Sequence, residues 1–129
     1  MHTFKKEERL CSKRSFEQLF AGGHSFTVFP FRCIWLEAPL AGPFPAQVAI
    51  SVSKRNFKKA VDRNRIKRRM RESYRKNKSI LYDFLREKDK TLILTLIYIA
   101  RTSLPYTEVE GKIILTLQRF AEEYEKSGR

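Results

Sequence analysis

The sequence predicts an α+β domain, a small sheet sandwiched with helices in the order α-β-β-α-β-α. Apolar residues recur at helical spacing near both ends of the chain. "QVAISVSK" (47–54) alternates as a half-buried strand does, and "TLILTLIYIA" (91–100) is short, β-branched and continuously apolar. At 129 residues the chain is read as one domain, 1–129, with residues 1–9 expected to be flexible and 120–129 to fray.

The elements follow in order. In "SKRSFEQLFAGG" (12–23), Ser12 or Ser15 caps a helix that carries Phe16, Leu19 and Phe20 at i, i+3 and i+4, and Gly22-Gly23 stops it. Residues 25–37 read as a strand with an edge or irregularity at Pro30. "APLAGPFPA" (38–46) holds three prolines and a glycine, which make a loop or hairpin connection. In the next strand Val48, Ile50 and Val52 take one face, and Ala49, Ser51 and Ser53 the other, a small-residue face that can lie near a ligand. A basic helix is expected over roughly 58–76, and "SILYDFLREK" (79–88) adds one or two further turns. The run 91–100 has the composition of a central strand. In the last helix, Thr107 and Glu110 are spaced as a capping box ahead of the stripe Val109, Ile113, Leu117, Phe120 and Tyr124.

Charge narrows the function. The formal net charge is +13, yet residues 54–78 alone hold thirteen Lys/Arg against Asp62 and Glu72. A positive field concentrated in one segment attracts polyanions, nucleic acid first. A membrane surface is the competitor, but it asks for Trp, Phe or Leu opposite the charges, which this segment lacks. Ten apolar residues do not span a bilayer as a helix. Cys11 and Cys33 have no C-x-x-C spacing and no signal peptide ahead of them, so a cytoplasmic location without disulfides is expected.

On a helical wheel, Ile66, Met70 and Tyr74 form the apolar seam of "AVDRNRIKRRMRE" (60–72) and its continuation. Asn64, Arg68, Arg71 and Arg75 make a second stripe, with Arg65, Arg69 and Lys76 beyond it and Arg63 and Lys67 flanking the seam. A merely solvated face interleaves signs to form i, i+4 pairs. Here Glu72 is the only acid within reach of Arg65, Arg68 and Arg69, so the arginines answer to an external polyanion. Arginine's planar fork also grips phosphate and stacks on bases. Asn64 both donates and accepts, which suits a 2′-hydroxyl, a phosphate or a base edge; a plain helix-surface asparagine is the other reading. A catalytic centre is not expected. His2 and His24 fall in a tail and a turn, most carboxylates fall in helix caps and polar faces, and there is no H-x-H, D-x-D or glycine-rich phosphate loop.

"ISVSKRNFKKAVDRNRIKRRMRESYR" resembles the signature of the bacterial ribonuclease P protein subunit, a strand ending S-V-S-K followed by A-V-x-R-N-R-I-K-R. "ERLCSKRSFEQLFAGG", "FRCIWL", "LILTLIYIARTS" and "TEVEGKIILTLQRF" extend the resemblance over about the whole chain. One departure is Phe57, with an apparent extra residue, where many members have a glycine before the helix.

The resemblance implies a left-handed β-α-β crossover, in a fold like the second domain of a small-subunit ribosomal protein. It also implies a ribonucleoprotein endonuclease that removes the 5′ leader from precursor tRNA. In it the catalytic RNA and Mg2+ perform the chemistry, and the protein binds RNA and leader and lowers the magnesium requirement. By position, Arg63, Asn64, Arg65, Lys67, Arg68 and Arg71 face the RNA, with Arg75 continuing the stripe and Lys54 and Arg55 nearby. Phe16 and Phe20 border the leader cleft, although phenylalanines at i, i+4 are also ordinary core. No obligatory protein partner is implied. The alternatives are a non-catalytic structural RNA binder, such as a ribosome-associated protein, and a metal-dependent nuclease acting alone. Helix-turn-helix DNA binding is disfavoured, because no second helix precedes the basic one at the required spacing.

Overall fold

A computed structural model describes residues 3–127. It contains α1 (Lys13–Gly22), β1 (His24–Val28), β2 (Phe31–Glu37), β3 (Ala46–Val52), α2 (Ala60–Asn77), α3 (Ser79–Lys88), β4 (Leu92–Tyr98) and α4 (Tyr106–Ser127), with a 3-10 turn at Lys6–Glu8. The α+β class holds, with one four-stranded sheet in the order β1-β2-β4-β3.

One expected strand is two. Residues 25–37 form a tight hairpin in which His24 pairs with Trp35 and Val28 with Phe31, and Phe29-Pro30 makes the turn. Pro30 has no N–H to give a ladder, so the chain reverses there. Phe26 and Val28 on one strand and Phe31, Cys33 and Trp35 on the other then bury on the same side. β4 is central as its composition predicts, antiparallel to β2 and parallel to β3. The β3–β4 connection runs through α2 and α3, the βαβ geometry that parallel neighbours require.

The sheet separates two cores. Val48 and Val52, Leu92, Leu94, Leu96 and Tyr98 face α2, α3 and α4, meeting Ile66, Met70, Tyr74, Leu81, Leu85, Val109, Ile113, Leu117 and Phe120. The seam read on the helical wheel of α2 is thus the buried one, with Ser73 added, its hydroxyl donating to the carbonyls of Arg69 and Met70. The opposite face packs Ile34 and Ile93 against Leu10 and Leu19, with Phe16 at the margin. α1 is capped by Ser12, whose Oγ accepts the Ser15 amide at 3.2 Å.

The described residues near both ends, from Thr3 to Leu10 and in the last turns of α4, pack more firmly than their polarity suggests. Leu10 donates its amide to the Val48 carbonyl, so the N-terminal strap runs along the β3 edge. Glu8, fully buried, accepts from the Lys5 amide (2.9 Å), the Tyr82 hydroxyl (2.5 Å) and the Lys78 ammonium. Burial pushes its carboxyl up, but these donors outweigh burial and hold it below the usual carboxylate range. At the other end α4 continues to Ser127, with Phe120 buried and Tyr124 donating to Glu37. α4 also begins at Tyr106, one residue before the expected cap. Pro105's carbonyl takes the Glu108 and Val109 amides, and Glu110 accepts from Asn77 at 3.1 Å.

Candidate nucleic-acid interface

On its inner side α2 is held chiefly by burial, with Asn77 donating to Glu110 of α4. Ile66 and Met70 each contribute about 2 kcal/mol on leaving water, and the Tyr74 ring is fully buried in the same core, offsetting the repulsion among the helix's outer charges. Asn64, Arg65, Arg68 and Arg71 stand exposed on the outer side, and Lys67 is half-buried at the seam. A cleft of about 760 Å³ runs over this surface, lined by Arg65, Arg68, Arg69, Arg71, Glu72 and Arg75 of α2. Arg9 and Phe4 of the N-terminal strap and Tyr106 at the start of α4 complete it.

The expected contacts divide by what their heads already hold. Arg65, Arg68 and Arg71 have no hydrogen-bond acceptor among the described residues. Arg75 forms a two-pronged pair with Glu72, Nε to Oε1 at 2.7 Å and Nη2 to Oε2 at 3.0 Å. That pairing holds the Glu72 carboxyl below its usual range and raises the guanidinium's pKa further. Arg63 turns back onto its own chain, Nη1 donating to the carbonyls of Phe57 (2.7 Å) and Lys58 (2.9 Å). It thereby closes the strand-to-helix turn in which Phe57 stands. Phe57 itself packs on Tyr98, ring centres 6.0 Å apart, so this turn is built around a side chain. Lys54 and Arg55 are exposed in the same turn and do not line the arginine cleft.

Phe16 and Phe20 lie on the other side of the sheet. Their rings are 6.5 Å apart and nearly parallel, at 15°. Phe16 leans on the second core, whereas Phe20 is 60% exposed, an unusual position for a large apolar ring. Beyond α1 that sheet face continues as the row Thr27, Arg32, Ile97, Ser51, set by the strand register. Arg32 is exposed, and Ile97 and Ser51 are half-covered. The arginine stripe and the phenylalanine pair are therefore two surfaces, on elements packed against opposite faces of one sheet.

Sequence reading missed Arg9, Phe4, Tyr106 and Arg32. Arg32 was legible in principle, since alternation between buried Phe31 and Cys33 sends it to the opposite face. The other three carry no local signal. His24 is exposed, its ring 4.5 Å from that of Trp35, and His2 lies outside the described residues. Among the described residues no group of three or more His, Cys, Asp or Glu comes together. No helix among them is long and apolar enough to cross a membrane.

The family model Ribonuclease P matches residues 4–120. Over 116 residues the chain is 31% identical to the ribonuclease P protein component of Porphyromonas gingivalis, covering 90% of this chain and 85% of that one. The chain belongs to the ribonuclease P protein family. A 75-residue stretch is 39% identical to the Legionella pneumophila ribonuclease P protein component, covering 58% of this chain and 63% of that one. The ribonuclease P protein of Thermotoga maritima superposes with a TM-score of 0.69 at 25% identity, over 87% of this chain and 96% of that one. The Staphylococcus aureus ribonuclease P protein shares the fold, with a TM-score of 0.66 at 21% identity over 85% and 94% of the two chains. As a ribonuclease P protein component, the chain is part of a tRNA-processing endonuclease and has RNA as its partner in a ribonucleoprotein.

Proposed function

We propose that the chain binds the catalytic RNA of ribonuclease P through the outer face of α2 and guides the single-stranded 5′ leader of precursor tRNA along the α1 side of the sheet. The observation that carries this reading is the exposed trio Arg65, Arg68 and Arg71 with Asn64, on a helix face whose two acids, Asp62 and the Arg75-paired Glu72, are outnumbered and form no ion pair with any of the three among the described residues. Guanidinium groups at that density neutralise RNA phosphates and release their counterions. Magnesium otherwise supplies that neutralisation, so the protein lowers the magnesium needed for RNA and substrate to come together. On this proposal Mg2+ is held by the RNA, which performs the cleavage, and the assembly works in the cytoplasm.

The leader assignment rests on Phe20. An exposed ring on the same side of the sheet as the row Arg32–Ile97–Ser51 offers a base a stacking surface and a phosphate a cation, the pairing used by proteins that bind single strands. Reconstitution tests the whole. The chain alone is expected to cleave nothing, and adding it to a bacterial ribonuclease P RNA is expected to restore precursor tRNA cleavage at magnesium levels where the RNA alone is slow. Absence of that stimulation, or cleavage by RNA-free protein with Mg2+, would refute the reading.

A further inference from the structure

Arg69 sits on α2 within the arginine cleft, yet its guanidinium is committed elsewhere. Nη1 donates to the Ser103 hydroxyl at 2.9 Å and to the Leu104 carbonyl at 2.6 Å. Two other groups grip the same loop between β4 and α4. The Tyr98 hydroxyl donates to the Thr102 carbonyl (2.6 Å) and accepts the Leu104 amide (3.2 Å). Asn56, in the β3–α2 turn, donates from Nδ2 to the Ile99 carbonyl (3.2 Å) and, more weakly, to that of Ala100 (3.5 Å). Residues 99–104 are thus tied to β4, to α2 and to the turn before α2, an unusual investment of side chains in a seven-residue connection, 99–105.

What the loop presents is Arg101, exposed and without an acceptor among the described residues. Arg101, Thr102 and Ser103 open onto a recess of about 340 Å³ shared with Arg65, Asp62 and Phe57. No ion pair among the described residues joins Asp62 to either arginine, so two guanidinium groups and two hydroxyls face one carboxylate. Such a set of donors converging on a small recess fits an oxyanion with several acceptor oxygens.

We propose that this recess is a phosphate-binding site for the RNA backbone, with Arg101 and Arg65 as its ligands and Arg69 as a positioning residue that acts through the loop. It rests on the reading that α2 faces RNA, and it adds a second wall to that face, supplied by a loop distant in sequence. The intramolecular bonds matter because an arginine on a free loop loses side-chain and backbone entropy on binding, and here the backbone part is already spent in folding.

The test measures binding of the full chain to ribonuclease P RNA across a salt series, with folding of each variant checked by circular dichroism. Arg101→Ala is expected to lower the slope of log K against log salt by about 0.9, as one lost phosphate contact does. Tyr98→Phe keeps the buried ring and removes the hydroxyl that holds Thr102 and Leu104. It and Arg69→Ala are expected to lose the same ion, and neither is expected to lose a further one when combined with Arg101→Ala. If Arg69→Ala fails to fold, Tyr98→Phe and Ser103→Ala carry the comparison. An unchanged slope in Arg101→Ala beside a lowered slope in Arg68→Ala overturns the recess and leaves the α2 reading standing. Additive losses in the Arg69→Ala, Arg101→Ala pair overturn the positioning role, and a wild type without salt-dependent RNA binding overturns both readings.

Discussion

Replacing Arg68 by alanine removes a guanidinium that is exposed on α2 and has no acceptor among the described residues. No internal bond is lost, and alanine is the better helix former, so folding stability should stay within about 0.5 kcal/mol of wild type. Binding should not. One phosphate contact on a duplex-like RNA releases about 0.9 counterions, and at 0.1 M salt that corresponds to roughly eightfold in affinity, or about 1.2 kcal/mol. Three such arginines, Arg65, Arg68 and Arg71, stand in the same condition. The triple alanine variant should therefore lower the slope by about 2.7 and weaken binding by several hundredfold at 0.1 M, with the difference vanishing as salt approaches about 1 M. Filter binding or fluorescence anisotropy with ribonuclease P RNA over a salt series gives the slope directly. A variant that binds weakly with an unaltered slope would show that these arginines act through folding or through neutral hydrogen bonds, and the assignment of α2 to phosphates would fall.

Other outcomes follow from the side chains already engaged. Glu72→Gln removes one negative charge from the arginine cleft and weakens the two-pronged hold on Arg75, so RNA binding should tighten, read in the same titration. Arg63→Ala breaks two charge-assisted bonds to the Phe57 and Lys58 carbonyls; it should cost about 2 kcal/mol, seen as a drop in Tm of several degrees. Glu8→Gln leaves Lys78 without its buried counter-charge and should cost about 3 kcal/mol at neutral pH by urea unfolding. Because the Glu8 carboxyl is held below its ordinary value of 4.5, that contribution is complete above this value and is lost as pH falls through the lower folded-state pKa. Wild type and variant should converge in acid. Phe20→Ala should leave Tm nearly unchanged while weakening binding of precursor tRNA about tenfold relative to mature tRNA, measured by competition on the reconstituted enzyme.

What could be read before folding was whatever repeats along a single element. The Ile66-Met70-Tyr74 seam, the β3 alternation and the uninterrupted apolarity of β4 each carry their burial in their spacing, and each is buried as that spacing requires. The hairpin at Pro30 was half-legible: the proline announced a break in the ladder, but the turn depends on both arms having a core to face. The destinations of Arg63 and Arg69 were not legible. A helical wheel sorts side chains by angle, and arginine is long enough to leave the sector to which its Cα assigns it. Arg69 ends on Ser103 and Leu104, and Lys78 ends on Glu8, partners far away in sequence. The same limit hid the N-terminal strap, whose composition is that of a tail and whose burial comes from a pocket between α2 and α3.

The place of β4 in the sheet has a consequence for how the chain reaches this form. β4 lies between β2 and β3, so the sheet has no middle until residues 53–91 have folded back and delivered it. The connection that delivers β4 contains the segment with the densest like charge, α2, whose helix is opposed by its own arginines unless the core holds it. Polyphosphate, RNA or plain high salt would relieve that repulsion at the step where it delays assembly. A polyanion that binds this face of the folded chain would therefore also favour the folded sheet.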